Sequence, residues 1–422
     1  MKESFTLSTA CIRESSRVAA FLDHLARSFV HRCCRHVGGG RIRLVEGGSC
    51  QEFGPRELPL TATVEVHDTS AYRAALLGGT IGAAEAYIDG LWSTDDLPGL
   101  VRLFARSDAA HHGLEGGLAR LARPARVLHQ LSRRNTRRGS RRNIAEHYDL
   151  GNDFYRLFLD ETLAYSCGIF EDEAASLRDA SVAKFDRICR KLQLSHADRI
   201  VEIGTGWGGF AIHAAHHFGC RVTTTTISRE QYDLSRERVR EAGLSGKVEV
   251  LLEDYRDLSG VYDKLVSIEM IEAVGHRNLD TFFAKCARLL RPEGSMLLQS
   301  ITIADQRYER HRRDVDFIKR YIFPGSTIPS VTALVRSMTR ASDLRLIDLD
   351  DITSHYTTTL RKWRERFLEN VNAVRRLGFS EQFVRMWDFY FSYCEGGFAE
   401  RYIGDVQLHF VKPSWRPTSA AS

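Results

Sequence analysis

Glu202-x-Gly204-x-Gly206-x-Gly208-Gly209 sets a run of glycines directly behind the apolar stretch Asp198-Arg199-Ile200-Val201-Glu202-Ile203. A helical pattern comes next at Phe210-Ala211-Ile212-His213-Ala214-Ala215. Strand, glycine turn and helix form the opening unit of a nucleotide-binding α/β sheet. Glycine is needed wherever a cofactor lies against bare backbone, because a Cβ would stand in its way. The spacing is not the dinucleotide pattern G-x-G-x-x-G, and tight turns in ordinary proteins use glycine too. The loop therefore gains meaning only together with residues further along the chain.

Polar residues stand at the ends of further apolar runs. Thr226 closes the β-branched run that begins at Arg221. Asp254 follows 248–252, Glu272 follows 264–268, and Gln299 closes 295–299. Each run has strand character, and helical stretches separate them. Ser228 is placed to cap the helix that begins near Arg229, with Gln231 at the capping-box position. Alternating strands and helices imply a parallel sheet wrapped on both faces. Ligands in such sheets sit beyond the carboxyl ends of the strands, so one crevice collects Glu202, Thr226, Asp254, Glu272 and Gln299.

The remainder of the chain frames this unit. Its 422 residues are enough for two or three domains, and 43% hydrophobic with 27% charged residues fits a globular protein with a sizeable core. No window reaches the 18 or so apolar residues of a membrane span, and the N-terminus lacks a basic region followed by an apolar run. The nine cysteines are scattered, without a C-x-x-C pair, so neither a disulfide framework nor a zinc site is expected. The histidine pairs His111-His112 and His216-His217 are adjacent rather than four apart, and no metal is expected there either. A cytoplasmic location is the default expectation.

Residues 1–45 read as helical and basic, with Val18, Phe21, Leu22, Leu25, Phe29 and Val30 at helical spacing. A strand-like stretch at 61–67 and a helix at 72–77 lead to the turn Gly78-Gly79 and a second helical block, giving a small α+β N-terminal domain over 1–120. An arginine-rich linker spans 121–142, its basic run extending from Arg120 to Arg142. It is read either as a solvated linker or as a surface for phosphates. Nucleic acid is disfavoured, because no recognition fold or aromatic stacking platform accompanies it. A catalytic domain is expected over 143–415.

The glycine loop resembles the S-adenosylmethionine loop of class I methyltransferases, and other motifs narrow the resemblance. His147-Tyr148-Asp149-Leu150-Gly151-Asn152, Tyr165-Ser166-Cys167, Ile227-Ser228-x-Glu230-Gln231, Ile271-Glu272-Ala273-Val274-Gly275, Tyr321-Ile322-Phe323-Pro324, Tyr356-x-x-Thr359-Leu360 and Cys394-x-x-x-Phe398 occur in order. Together they resemble the cyclopropane-fatty-acyl-phospholipid synthase family over about residues 143–412, and Gly78–Leu97 resembles its N-terminal domain more loosely. The resemblance implies a Rossmann-like class I methyltransferase sheet with helices on both faces. It also implies the reaction: the π electrons of a cis double bond in a phospholipid acyl chain attack the sulfonium methyl, and the methylated carbocation loses a proton to close a cyclopropane.

Carried over by position, cofactor contacts fall on Tyr165, Ser166, Glu202, Gly204, Gly206, Gly208, Thr226, Gln231, Tyr255 and Arg256, with Asp254 facing the adenine edge. In the resembled family a bound bicarbonate is the base, and its cradle maps onto Cys167, Glu272, Gln299, Ile301 and Tyr356. Cys394 is a further candidate, although an alkene attacking a sulfonium needs no thiolate. Gln299 departs from the histidine of many members; it offers a donor and an acceptor but does not titrate near neutral pH. That departure leaves a methylene- or methyl-branched product open beside the cyclopropane. Methylation of a soluble amine or hydroxyl, and a catalytically silent lipid-binding protein, are the readings from other classes. The implied partner is unsaturated phospholipid in a bilayer, reached by peripheral attachment at the inner membrane surface, and a homodimer is left open.

Overall fold

The computed structural model describes residues 9–107, 139–140, 150–172 and 174–417. The arginines from Arg120 to Arg142 and the segment His147-Tyr148-Asp149 lie outside the described residues. The chain divides into two compact units, Met1–Arg126 with Ser380–Glu400 and Val127–Phe379 with Arg401–Ser422. The stretch 143–415, expected as one domain, is therefore interrupted: 380–400 belongs with the N-terminal residues.

In the first unit, strands β1 (Arg41–Glu46), β2 (Ser49–Phe53), β3 (Thr61–Val66) and β4 (Trp92–Thr94) form a sheet of order β2-β1-β3-β4. Helices α1 (Thr9–Arg35), α2 (Ser70–Ile88) and α3 (Leu97–Ala105) accompany it. The helical reading of 1–45 thus ends at Arg35, and β1 takes up the rest. The turn expected at Gly78-Gly79 is a kink within α2, where Gly79 adopts φ 62° and ψ −141°. The helix Glu381–Ala399 is bound in by polar ties: Tyr87 donates its hydroxyl to Asp388 at 2.6 Å, and Glu400 just beyond the helix accepts from Arg102 and Arg106 at 2.7 Å each.

The second unit is built on a seven-stranded sheet of order β10-β11-β9-β8-β5-β6-β7. Its strands are β5 (Arg199–Ile203), β6 (Arg221–Thr226), β7 (Val248–Leu252), β8 (Tyr262–Ile268), β9 (Leu290–Ile303), β10 (Arg345–Asp351) and β11 (Ile403–Val411). The first five pair in parallel, as expected from alternating strands and helices. The sheet is not parallel throughout, however. β11 inserts antiparallel between β9 and β10, bringing the C-terminal strand beside Gln299.

Both faces of the sheet are covered, which is why its strands read as continuous apolar runs. Leu265, Met296, Leu298, Leu408 and Phe410 share one core with Phe282, Phe283, Leu334 and Met338. Val266 and Leu297, one residue along, belong to the opposite core with Ile200, Phe210, Ala211 and Val222. Among the described residues, the α-helices of this unit are α4 (Asn152–Arg156), α5 (Leu177–Lys191), α6 (Gly209–His217), α7 (Arg229–Glu241), α8 (Leu279–Leu289), α9 (Asp305–His311), α10 (Val331–Ala341), α11 (Thr353–Glu369) and α12 (Val371–Arg376). Ser228 caps α7 by accepting from the Gln231 backbone N–H at 3.3 Å. Gln231 does not complete a capping box: its side chain accepts from Thr226 Oγ1 at 2.8 Å, and Thr226 Oγ1 takes the Ser228 N–H instead.

Candidate active site

The glycine turn between β5 and α6 is left-handed at three alternate positions: Gly204 at φ 104°, Gly206 at φ 53° and Gly208 at φ 83°. L side chains rarely adopt these angles. A Cβ at Gly206 meets no atom within 4 Å, so the turn presents bare backbone to open space. Below it, Glu202 is buried in the sheet and accepts from Thr224 Oγ1 at 2.6 Å. Burial raises its carboxyl to about 8. Thr224 also meets Thr205 Oγ1 at 2.7 Å, so this acid props the loop from beneath.

Thr226 and Gln231 are joined to each other at the end of β6 through the Oγ1 bond that displaces the capping box. Asp254, past the end of β7, is held by Arg256 through Nε at 2.8 Å and Nη2 at 2.6 Å. Tyr255 packs edge-on against Phe282. Ser166 accepts from the fully buried Lys184 of α5 at 2.5 Å. The Tyr165 ring lies against Trp363 at 5.3 Å, Tyr155 at 5.5 Å, Phe158 at 6.0 Å and Phe323 at 6.3 Å. Glu202, Thr226, Gln231, Asp254, Tyr255 and Arg256 thus gather at the carboxyl ends of β5, β6 and β7, while Tyr165 and Ser166 precede Cys167, whose N–H reaches Glu269 past the end of β8.

The catalytic candidates converge on a residue the sequence reading did not choose. Glu269, immediately past β8, accepts from the Cys167 N–H at 2.8 Å and Gln299 Nε2 at 2.8 Å on one oxygen. Its other oxygen accepts from the Tyr356 hydroxyl at 2.6 Å. Its backbone is left-handed at φ 46°, uncommon for a residue with a Cβ and unfavourable by roughly 1–3 kcal/mol. Such strain is tolerated when its surroundings over-determine it, and here three donors and the Glu269 N–H to Gln299 O bond at 2.9 Å do so.

Glu272 and Ile301 form a second, adjoining contact. Glu272 Oε1 accepts from the Ile301 N–H at 2.7 Å and from Ser300 Oγ at 3.0 Å. Its Oε2 is shielded from solvent with no hydrogen-bond partner among the described residues. Burial and then the neighbouring Glu269 charge raise Glu272 to about 8. Cys167 is fully buried; burial, then Asp405 and Glu269, push its thiol well above the ordinary range. A thiol so placed stays protonated and lends its backbone N–H rather than its sulfur. Cys394 lies on the helix Glu381–Ala399, which belongs to the first unit.

Three further residues complete the cluster and escaped the sequence reading. Gln407, opposite Gln299 in the β11–β9 register, donates to Gln299 Oε1 at 3.1 Å and so turns the Gln299 Nε2 toward the acids. Gln299 Nε2 also reaches Asp405 Oδ2 at 3.2 Å. Lys184 feels Glu269, Cys167, Asp160 and Asp405 as neighbours, while burial lowers its pKa. Two signals were available: the paired acids in Glu269-Met270-Ile271-Glu272, and the alternation Asp405-x-Gln407-x-His409 between apolar residues, which marks a strand with one polar face.

An aromatic wall adjoins the acids. The Tyr356 ring stands edge-on to Trp363 at 6.2 Å, and Trp363 faces Tyr165. Aromatic faces stabilise a cation without reacting with it, so carboxyl groups and a surface able to shelter a cation lie side by side.

The family profile described as mycolic acid cyclopropane synthetase matches residues 135–408. Tuberculostearic acid methyltransferase UfaA1 of Mycobacterium tuberculosis is 38% identical over 346 residues, 79% of this chain and 79% of that protein. Cyclopropane-fatty-acyl-phospholipid synthase of Escherichia coli (strain K12) is 36% identical over 354 residues, 82% of this chain and 86% of that protein. Among solved structures, mycolic acid cyclopropane synthase CmaA1 complexed with SAH and CTAB aligns with a TM-score of 0.61 at 30% identity, covering 64% of this chain and 98% of that one.

Proposed function

Since the chain belongs to the mycolic acid cyclopropane synthetase family and is an S-adenosylmethionine-dependent methyltransferase, we propose that it methylates the cis double bond of an unsaturated phospholipid acyl chain, with Glu269 as the proton acceptor. The observation that carries this reading is the Glu269 carboxylate, gathered by Cys167, Gln299 and Tyr356 beside the Tyr165–Trp363 wall.

The bare backbone at Gly206 fits S-adenosylmethionine, and Tyr165, Ser166, Glu202, Gly204, Gly208, Thr226, Gln231, Asp254, Tyr255 and Arg256 are the residues assigned to hold it. When bound, that cofactor supplies an electrophilic methyl group. The protein must then hold the alkene in place, shelter the carbocation, exclude water and take up one proton. The aromatic wall serves the second need and Glu269 the fourth. Bicarbonate, implied by the family resemblance, is not needed in this arrangement. Cys167, Gln299 and Tyr356 are engaged by Glu269, and Ile301 is engaged by Glu272.

For the product, loss of a methyl proton to Glu269 as the new C–C bond closes the ring gives a cyclopropane. A methylene-branched chain is the second reading, and the hydrogen bonding of Glu269 favours it. A carboxylate whose lone pairs are shared by three donors has fewer of them free to meet the methyl proton. The delay allows a hydride shift to the tertiary cation before the methyl group deprotonates. The Escherichia coli relative's printed name, a cyclopropane synthase, supports the first reading, while UfaA1 is named as a methyltransferase with no ring in its name.

Labelled cofactor and vesicles of a defined monounsaturated phospholipid test the function. Label in the fatty acid methyl esters is expected, equal in bicarbonate-depleted and bicarbonate-supplied buffer, and mass spectrometry distinguishes ring from methylene. Glu269→Gln is expected to lower turnover by about 10²-fold or more. Absence of label from the wild-type product overturns the function, and dependence on added bicarbonate overturns the role of Glu269.

A further inference from the structure

Asp405 is fully buried on β11 and lies on the same sheet face as Gln407, two residues on. Its Oδ2 receives Gln299 Nε2 at 3.2 Å, the donor that also serves Glu269 Oε1 at 2.8 Å. Its Oδ1 is buried without a hydrogen-bond partner among the described residues. Gln299 Nε2 therefore bridges one oxygen of each carboxyl and sets Asp405 and Glu269 around a single donor. Two carboxylates crowded around one donor in a buried site repel each other, and a proton on one of them relieves that repulsion.

The surrounding charges sharpen the point. Glu269 and Glu272 face Asp405 with like charge, and Lys184, from α5, faces it with opposite charge. Cys167, itself held protonated, and Tyr356, which donates to Glu269, add no positive charge. One buried ammonium therefore faces three carboxyl groups, and a buried site does not hold unmatched charge.

We propose that Asp405 is a positioning residue that stays protonated against Glu269, so the pair enters the reaction as one neutral acid and one carboxylate, with Gln299 clamping both. This inference rests on the alkene-methylation reading. Burial, together with the like charges of Glu269 and Glu272, raises Asp405 well above the usual carboxylate range, in keeping with the geometry. In the chemical step the C–H bond of the new methyl group breaks, its electron pair enters the product C–C bond, and the proton passes to Glu269. The Asp405 proton stays where it is. Its O–H holds Glu269 in place and spares it a second negative neighbour. The proton taken up by Glu269 then leaves for solvent before the next turnover.

The direction of the pH effect is set by this proton. Asp405 is neutral below its raised pKa and ionises above it, placing a second negative charge beside Glu269. Wild-type turnover is therefore expected to fall on the alkaline side. Asp405→Asn keeps a neutral donor and an acceptor but cannot ionise, so it should hold turnover within about threefold at neutral pH and lose the alkaline fall. Asp405→Ala should lower kcat by roughly 10²-fold while cofactor affinity by calorimetry is retained. A readout without catalysis stands beside these: the infrared carboxylic-acid band of wild type minus Asp405→Asn at neutral pH.

A lost acid band, rescue by Asn and no alkaline fall in that variant bear out the assignment. It is overturned if Asn fails as badly as Ala, if Ala turns over like wild type, if the alkaline fall persists in Asn and so belongs to Glu272 or Lys184, or if the infrared difference shows no acid band. Absence of methyl transfer in wild type with the band present instead overturns the functional reading and leaves the proton assignment standing.

Discussion

Tyr356 donates its hydroxyl to Glu269 Oε2 at 2.6 Å across 87 residues of chain. Helix α11 thereby fixes an acid that the end of β8 holds in a left-handed conformation. Removing the hydroxyl with Tyr356→Phe leaves one carboxylate oxygen without its donor. An unmade bond to a charged group weighs about 1.5–3 kcal/mol, so kcat should fall at least roughly tenfold. Calorimetry with S-adenosylhomocysteine should show unchanged affinity; a loss of cofactor binding equal to the loss of kcat would contradict the role given to Tyr356.

Gly206 has φ 53° and open space where a Cβ would project. Gly206→Val should weaken cofactor binding by more than it weakens the fold. The left-handed conformation alone is unfavourable by about 1–2 kcal/mol for a side chain, and a larger loss of affinity would reflect the filled space. Calorimetry set against urea unfolding separates the two.

Glu202 gives a pH dependence of stability. Its folded carboxyl is raised by burial to about 8 from an ordinary 4.5. Between these values the folded state holds a proton that the unfolded state has lost. The contribution is complete below about 4.5 and disappears as pH climbs through 8. Glu202→Gln should therefore flatten the decline in unfolding free energy between pH 5 and 8, measured by urea titration. An unchanged decline would place Glu202 in its ordinary ionised state.

Membrane attachment is proposed through the arginines between Arg120 and Arg142. No described helix is long and apolar enough to cross a membrane. Basic residues near an anionic surface gain about 1 kcal/mol each, and salt screens that gain. Co-sedimentation with anionic vesicles should fall from low to high salt, and replacing Arg133, Arg134, Arg137 and Arg138 with Gln should reduce it further. Binding indifferent to both would rule out this electrostatic attachment.

Much of this protein is written locally. A glycine that must adopt a left-handed turn, a β-branched run such as Arg221–Thr226, and a Ser228 cap depend on neighbours a few residues away, so the parallel core of the sheet and the glycine turn behind β5 were legible in the sequence. Cys167, Gln299, Ile301 and Tyr356 were legible only through family resemblance. The tertiary structure decided the rest. Glu269 and Glu272 are both acids past the end of β8, and nothing in their spacing says that Glu269 takes the donors of Cys167, Gln299 and Tyr356 while Glu272 takes the Ile301 N–H. Asp405 and Gln407 reach Gln299 because β11 pairs antiparallel with β9 across more than 100 residues of chain. Strand pairing of that kind is settled by burial and register over the whole sheet, which no short window of sequence contains.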